Sequence, residues 1–165
     1  MREIELTQGY KAQVDDEDYE RVNALKWFAY PDHGTVYARH SVYANGKQTV
    51  LLLHRHVLGI TDREVLVDHF PDPNGLNCQR SNLRRATRIE NTRNRKLNKN
   101  NTSGYKGISW DNNWKAWRVN LSVNRHRLQL GAFKDAQEAA RAYDKAAIEN
   151  YGEFAKTNKM LGLIE

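Results

Sequence analysis

Asp68 and His69 stand side by side after a short apolar run, and asparagines follow at positions 82 and 91. Cutting a phosphodiester needs a base for water, positive charge on the phosphate, and stabilisation of the departing 3′ oxygen. The imidazole of His69 is a suitable base, and one divalent ion meets the other two needs. The amide oxygen of Asn91 is a hard donor that suits Mg²⁺. Asn82 is expected to fix a loop through backbone hydrogen bonds.

The same residues have a simpler interpretation. Neighbouring side chains on a strand point to opposite faces, so Asp68 and His69 serve one site only at a strand end or a bulge. An Asp-His pair followed by scattered asparagines also arises by chance, and a partly buried, hydrogen-bonded histidine is the commoner explanation. These residues alone leave both interpretations open.

A longer motif surrounds the pair. Its segments are LHR at 53–55, VDH at 67–69, NCQRSNLR at 77–84, AT at 86–87 and EN at 90–91. Their order resembles the HNH homing endonucleases of phages and mobile introns. The resemblance covers about residues 1–96, because the opening LTQG, VDDEDY and KW segments are also similar. It implies a ββα-metal fold and DNA hydrolysis that leaves 5′-phosphate and 3′-hydroxyl ends.

The resemblance also implies a role for each matching residue. His69 activates the water, Asn82 orients the loop and that histidine, and Asn91 binds a metal ion together with Asp68. The implied cofactor is a divalent metal, Mg²⁺ with Mn²⁺ as the alternative, and no zinc is expected. His54 and His56 are interpreted as structural rather than as additional site residues.

Two positions depart from this family. Residues 70–73, Phe-Pro-Asp-Pro, stand where the family often has Ile-Asn-Gly, and Arg88 stands where many relatives have histidine. Neither change removes a proposed ligand. The prolines are expected to reshape the loop and to alter activity.

The C-terminal part has the alternation of a β-sheet. Strands are predicted at 105–110, 114–123 and 126–130, with turns at 111–113 and 124–125. A helix capped by Asp135 follows to about Asn150, with a small-residue face that suits close packing on the sheet, formed by Ala139, Ala142, Tyr143, Ala146 and Ala147. Alternation places Trp117, Val119, Leu121 and Val123 on one face and polar groups that suit phosphates and base edges on the other. An ordinary polar sheet face is the alternative.

This part also resembles a known family. YKGI at 105–108, Trp117, RLQLGAF at 127–133 and EAARAYD at 138–144 are similar to the plant Apetala/ethylene-response DNA-binding domain. The resemblance covers about 104–158, and Asn158 matches the terminal asparagine of that family. It implies that the sheet reads the major groove. Several reading positions hold other residue types here, so the target sequence of the plant domain does not transfer.

Charge is unevenly distributed along the 165 residues, whose formal net charge is +6. Positions 75–130 hold 13 of the 26 Lys and Arg residues but only 2 of the 20 acids, Glu90 and Asp111. A basic, Asn- and Trp-rich middle is typical of nucleic-acid binding, although a solvated charged surface is the alternative. The single Cys78 excludes an internal disulfide framework and a multi-cysteine zinc site. Without an apolar stretch of membrane length or a secretory leader, an intracellular soluble protein is expected, with no membrane partner.

The N-terminal part reads as strand-rich. Strands are predicted at 3–6 and 11–14, a helix from Asp15 or Asp16 to about Lys26, and a hairpin of 35–39 with 48–53 around Asn45-Gly46. Thr87 and Glu90 fit the capping box of a helix that ends near Arg95. The predicted class is α+β, with a β-rich HNH domain at 1–97, a linker at 98–104, and a three-stranded antiparallel sheet packed on one helix at 105–160.

These patterns favour a site-directed, homing-type DNA endonuclease that nicks double-stranded DNA as a monomer, with a dimer cutting both strands as the alternative. The expected place of action is the cytoplasm of a bacterial or phage-infected cell. A DNA-binding regulator with an inactive nuclease unit and an RNA-binding protein are the other hypotheses. The predicted DNA contacts are Arg84, Arg85, Arg88, Arg93, Arg95, Lys96, Lys99, Lys106, Ser109, Trp110, Arg118, Asn120, Ser122, Arg125, Arg127 and Gln129.

Overall fold

The computed structural model describes residues 1–165, except for the side chain of Ala44. The chain forms two compact units, Met1–Arg88 and Ile89–Glu165. The division falls inside a helix, ahead of the predicted linker at 98–104. Among the described residues, none of the helices combines the length and the apolar character that crossing a bilayer requires.

The first unit is built from short antiparallel strands. Strands β1 (Arg2–Glu5) and β2 (Lys11–Val14) pair with each other, and helix α1 (Asp16–Asn23) follows. Strands β3 (Phe28–Asp32), β4 (Thr35–Ala44) and β5 (Lys47–Leu52) form a sheet in that order. Helix α2 (Leu53–Val57) leads to β6 (Leu66–His69), which pairs with β7 (Leu83–Ala86).

The turn between β4 and β5 follows from its residue types. Asn45 and Gly46 both have positive φ, 52° and 70°. Two consecutive residues of that kind form the turn whose twist matches a two-residue hairpin, and Asn-Gly is the preferred pair for it. The predicted hairpin is confirmed, although β4 extends farther toward the turn than the sequence pattern indicated.

A single apolar core holds the first unit together. It includes Trp27, Leu53, Val57 and Cys78, all nearly inaccessible to solvent. The indole Nε1 of Trp27 donates to the carbonyl of Val22 at 2.9 Å. This bond satisfies the one polar group that Trp27 brings into the core.

The second unit contains the sheet and helix of the C-terminal part. Helix α3 (Arg88–Arg93) crosses the division between the units, and strands β8 (Ile108–Asp111), β9 (Ala116–Val123) and β10 (His126–Phe133) form an antiparallel sheet in the order β10-β9-β8. Helix α4 (Ala136–Tyr151) packs on this sheet through Ala139, Tyr143 and Ala147. The carboxylate of Asp135 accepts from the backbone N–H of Glu138 at 2.8 Å, so the predicted helix cap is confirmed.

Asn158 joins three segments of the second unit through hydrogen bonds. It is fully buried, its Oδ1 accepts from the backbone N–H of Lys106 at 2.6 Å, and its Nδ2 donates to the Asp144 carboxylate at 2.8 Å. The C-terminal segment is thereby bonded both to α4 and to the segment that precedes β8. A buried amide with this many partners fixes one arrangement of the segments that it joins.

The predicted α+β class fits this mixture of antiparallel strands and helices. Strand β3 and helix α2 were not predicted, α1 ends at Asn23 rather than near Lys26, and β8 begins at Ile108 rather than Tyr105. Strands β6 and β7 and helix α3 follow in the order expected of a ββα-metal unit. Because α3 crosses the division between the two compact units, that unit itself stays a prediction.

Candidate active site and nucleic-acid interface

Asp68 and His69 lie at the end of β6 and are both buried, with 7% and 9% of their surfaces exposed. Antiparallel pairing with β7 places Asp68 opposite Arg84 and His69 opposite Leu83. The strand stops at His69 and the chain turns into the loop 70–77. This is the strand-end position that the sequence required if both side chains were to serve one site.

The hydrogen bonds of His69 define its tautomer. Nδ1 lies 3.0 Å from the carbonyl oxygen of Asn77. A carbonyl oxygen only accepts, so Nδ1 carries the proton and the neutral ring has its lone pair on Nε2. Burial lowers the pKa of His69, against the opposing influence of the Asn77 hydrogen bond and of the charges on Asp68 and Asp72. A neutral imidazole whose Nε2 carries a lone pair has the protonation state that a general base needs.

A second histidine faces that lone pair. The Nδ1 atom of His54, on α2, lies 3.3 Å from Nε2 of His69, and the two rings meet edge to face. Burial is the main reason why the pKa of His54 falls to about 3, and the charges of His69 and Arg55 lower it further. The ring of Tyr37 on β4 lies 5.8 Å from that of His54 and 6.1 Å from that of His69. His54 and Tyr37 therefore belong to the surroundings of His69, although the sequence interpretation gave His54 a structural role and overlooked Tyr37.

Asn82 holds the loop that bonds His69. Its Nδ2 donates to the carbonyls of Asp72 and Asn77, both at 3.0 Å, and its Oδ1 accepts from the backbone N–H of Asp72 at 2.9 Å. The Asn77 carbonyl is the one that fixes the tautomer of His69. These contacts are those expected of a residue that orients the loop and the histidine.

The departure at 70–73 leaves the loop well bonded. The carboxylate of Asp72 accepts from the backbone N–H of Asn74 and from Nδ2 of Asn77, both at 3.0 Å. At Gly75 a side chain is excluded, because an added Cβ would lie 2.5 Å from the carbonyl oxygen of Val36 on β4. The loop therefore lies close against β4 at Gly75, and its residues Asp72 and Asn77 are hydrogen-bonded to Asn82.

Asp68 is held by a cation. Its Oδ2 accepts from Nη2 of Arg84 at 2.7 Å and from Nε at 3.0 Å, and both side chains are largely buried. The guanidinium of Arg84 also lies 4.1 Å from the ring of Phe70. Arg84 was predicted to contact DNA, whereas here its side chain is directed toward Asp68.

Asp68 is a hard oxygen ligand of the kind that Mg²⁺ takes, and a metal ion at this position stays a prediction. Asp68 offers a buried carboxylate that already binds a positive group. Within the described part of the chain, no three His, Cys, Asp or Glu side chains are grouped so that they could hold a metal. An ion at Asp68 would therefore complete its shell with amide, phosphate or water oxygens, as Mg²⁺ does. Asn91, the second predicted ligand, lies on α3 in the second unit, and its role stays a prediction.

The 3-10 turn Arg80–Asn82 is held by residues for which the sequence predicted no role. Nε and Nη2 of Arg80 donate to the buried carboxylate of Asp18 at 2.7 and 2.9 Å, and its backbone N–H donates to Asp15 at 2.7 Å. The position of Asn82 thus depends on α1, more than sixty residues earlier in the chain. The acidic run at 15–18 was the signal that could have identified this contact.

The second site is the solvent-facing side of the C-terminal sheet. A shallow groove of about 250 Å³ lies on it, lined by Ser109, Trp110, Asp111, Arg118, Asn120, Arg127 and Gln129. Val119 and Leu121 are buried on the opposite side, against α4. The predicted alternation of β9 is therefore confirmed, and six of the predicted contact residues share this groove.

Arg118 is bonded to two other residues that line the groove. It donates to Asp111 at 3.1 Å and to Gln129 at 3.2 Å, and its guanidinium carbon lies 5.4 Å from the ring centre of Trp114. Trp114 is 65% exposed and Trp110 is 45% exposed. Trp110 was among the predicted DNA contacts, and Trp114 is a candidate contact residue that the sequence analysis did not predict.

The other predicted contacts lie in different surroundings. Ser122, in β9, and Arg125, in the turn after it, are exposed, as are Arg85, Arg88, Arg95, Lys96 and Lys99. Arg93 stacks on the ring of Tyr151 at 4.5 Å. Lys106 is directed inward, where its ammonium group donates to the carbonyls of Arg93 and Arg95 at 2.8 Å, and burial lowers its pKa to about 8. A contact between DNA and Lys106 would have to compete with those two bonds.

Comparison with known proteins finds one domain match and several relatives. Residues 103–153 match the AP2 domain. A protein of Acanthamoeba polyphaga mimivirus, named as an uncharacterized HNH endonuclease, is 35% identical over 113 residues, which cover 66% of this chain and 57% of that relative. Protein 3.8 of Escherichia phage T7 is 34% identical over 90 residues, covering 54% of this chain and 73% of the phage protein.

An ethylene-responsive transcription factor of Arabidopsis thaliana is 33% identical over 101 residues, which cover 58% of this chain and 60% of the plant protein. The chain thus spans less than two thirds of the mimivirus and plant relatives. No solved structure matches it. The AP2-domain match at residues 103–153 covers the sheet of the second unit and helix α4. The chain belongs to the same family as Protein 3.8 of phage T7, which it matches over 73% of that protein's length.

Proposed function

We propose that this protein is a metal-dependent DNA endonuclease of the HNH type, which its AP2 domain directs to a target site. The observation that carries the proposal is the tautomer of His69, whose Nδ1–H is bound by the Asn77 carbonyl so that Nε2 holds the lone pair. The named HNH relative supports the same activity. His69 takes a proton from water at Nε2, and the resulting hydroxide attacks the phosphorus of the scissile phosphodiester.

The proposed ligands of the cofactor are Asp68 and Asn91. A divalent ion bound there, Mg²⁺ or Mn²⁺, supplies positive charge at the scissile phosphate and stabilises the departing 3′ oxygen. Asn82 keeps the Asn77 carbonyl on His69 while the proton moves. Asp68, held by Arg84 in this structure, must exchange its guanidinium partner for the ion. The products are 5′-phosphate and 3′-hydroxyl ends.

The proposed role of the AP2 domain is to bind the target site on DNA. Its groove presents the cation of Arg127 beside the amides of Asn120 and Gln129. Cations suit phosphates and guanine edges, and amides suit adenine edges. We expect this face to bind double-stranded DNA in the major groove. One set of proposed catalytic residues in each chain favours a monomer that nicks one strand in a homing-type reaction.

The test combines selection of a target with a nicking assay. Duplexes that bind the protein are enriched from random sequence, cloned into a supercoiled plasmid, and incubated with protein and Mg²⁺. We expect relaxed circles from the wild type, none with EDTA, and a loss of about 100-fold or more for His69→Ala. His33→Ala is the matched control, since its side chain is 97% exposed and belongs to the turn after β3.

A second function, DNA binding without cleavage, is favoured by two contacts. Arg84 occupies the Asp68 carboxylate, and His54 occupies Nε2 of His69. If both contacts persisted on DNA, neither the metal ligand nor the base would be available. Site-specific binding that gives no nicks with Mg²⁺ or Mn²⁺ would support this regulator and reject the nuclease.

A further inference from the structure

His54 is placed by a helix that is anchored on two sides. It lies in α2, only 8% exposed, and its neighbour Arg55 donates to the backbone carbonyls of Val65 and Asp62. On the other side, Nη1 of Arg21 donates to the carbonyl of His56 at 2.8 Å. The bond from Arg21 satisfies a carbonyl at the end of this short helix, and the bonds of Arg55 join the helix to the segment before β6. Together they fix the backbone that carries His54.

The proton positions in this pair follow from their partners. His69 carries its proton on Nδ1, because that atom faces the Asn77 carbonyl, so its Nε2 accepts. The Nδ1 atom of His54, 3.3 Å from that Nε2, must then be the donor. His69 is thus bonded through both ring nitrogens, to the loop on one side and to α2 on the other.

We propose that His54 is a positioning residue for the general base: its Nδ1–H bonds Nε2 of His69 and holds the ring in the productive orientation until water and DNA enter. The proposal rests on the proposed nuclease function. Nε2 has a single lone pair, so a bond from His54 and proton transfer from water exclude each other. Water therefore displaces the His54 contact and gives one proton to Nε2 of His69. The remaining hydroxide attacks the phosphorus, the bond from phosphorus to the 3′ oxygen breaks, and that oxygen takes a proton from solvent water. His54 keeps its own proton throughout.

A purely structural His54 would behave differently. If the ring only filled space, a leucine of similar volume would serve, and an asparagine would be the poorer replacement because it brings a polar amide into a buried position. A positioning donor predicts the reverse order, since the Nδ2–H of asparagine can occupy about the place of the histidine Nδ1–H. The two substitutions therefore separate the roles.

The experiment compares His54→Asn, His54→Leu and the control His33→Asn in the full-length protein. Single-turnover nicking of the selected plasmid at saturating protein is expected to fall about tenfold for the leucine variant, the value of one hydrogen bond. The asparagine variant is expected to stay within about threefold of the wild type. DNA affinity is expected to be unchanged in both, and urea unfolding shows whether each variant is folded. Equal losses in both variants, or full activity of the leucine variant, would overturn the positioning role.

A spectroscopic measurement tests the hydrogen bond without reference to nicking. Long-range ¹H–¹⁵N spectra of the side chains are expected to show His54 and His69 both protonated on Nδ1. In His54→Leu, the Nε2 resonance of His69 is expected to move toward that of a nitrogen that accepts no hydrogen bond. A His54 protonated on Nε2 would overturn the proposal. If the wild type cuts no DNA, the proposed function fails, whereas these spectra still decide whether His54 holds His69.

Discussion

Asn82 shows how one side chain can fix a loop, here the loop 70–77 beside His69. Its amide makes two donor bonds and one acceptor bond, and the residue is buried. We expect Asn82→Ala to lower the free energy of unfolding by about 1–3 kcal/mol, because three backbone groups lose their partner. Asn82→Asp should cost more, since one carboxylate oxygen would face two carbonyl oxygens. Urea denaturation measures both.

Asn98→Ala is the control for Asn82, because Asn98 is exposed. The free energy of unfolding of this variant should differ from that of the wild type by no more than about 0.5 kcal/mol. An Asn82→Asp variant as stable as the wild type would show that the amide nitrogen does not face the two carbonyls.

Cys78 reports on the stability of the first unit. It is completely buried, and burial raises the pKa of its thiol to about 12. The thiolate is the reactive form, so iodoacetamide at pH 8 should not label the folded protein. Labelling should follow unfolding, with the same denaturant midpoint as the loss of secondary structure. Fast labelling in buffer alone would show that the core around Cys78 opens locally.

At the scale of residues, the sequence indicates which residues belong to the candidate site better than it indicates which side chains contact each other. Asp68, His69 and Asn82 were recognised from the motif, and the hydrogen bonds of Asn82 are those expected of its role. The contact of His54 with His69 depends on the path of the chain through α2 and β6, which periodicity does not fix. Arg84 looked like another basic residue of a basic segment, yet strand register places it opposite Asp68.

The packing of the AP2 sheet on its helix depends on one glycine. Gly107 has a φ of 79°, and a Cβ built there would overlap the ring of Tyr143. Gly104 has a φ of 76° but open space around it. We expect Gly107→Ala to lower the unfolding free energy by about 1–3 kcal/mol more than Gly104→Ala, because only the first adds overpacking to the backbone strain.

Thermal unfolding followed by tryptophan fluorescence measures this difference, because three of the four Trp residues lie in the second unit. The Gly104→Ala variant carries the backbone strain alone. Equal destabilisation of the two variants would show that the ring of Tyr143 moves aside.

At the scale of elements, the sequence predicted the turns and helix ends that their own residues determine. It did not predict an element that depends on contacts from distant parts of the chain. The Asn45-Gly46 hairpin and the helix that begins after Asp135 were predicted because the turn and cap residues determine them locally. Helix α2 was not predicted, because its first residue, Leu53, continues the apolar run of Leu51 and Leu52 and was assigned to the end of a strand. Tertiary bonds to its carbonyls from Arg21 and Arg80 stabilise that single turn of helix.

At the scale of the whole molecule, cutting and addressing are assigned to different units of the chain. His69 belongs to Met1–Arg88 and Arg127 to Ile89–Glu165. If the assignment is right, the two activities can be lost separately. We expect His69→Ala to bind the selected duplex as the wild type does and to cut none of it. Arg127→Ala is expected to bind weakly and to cut at the normal rate once saturated.

Salt dependence tests the proposed role of Arg127 most directly. A cation that contacts one phosphate contributes about 0.9 to the slope of log affinity against log salt concentration. Arg127→Ala should therefore reduce the slope by about 0.9 if it contacts a phosphate. Arg141→Ala removes the same charge from the exposed surface of α4 and should leave the slope unchanged. A slope that falls equally in both variants would mean that net charge, rather than the groove, holds the DNA, and the address would then have to be sought outside the AP2 sheet.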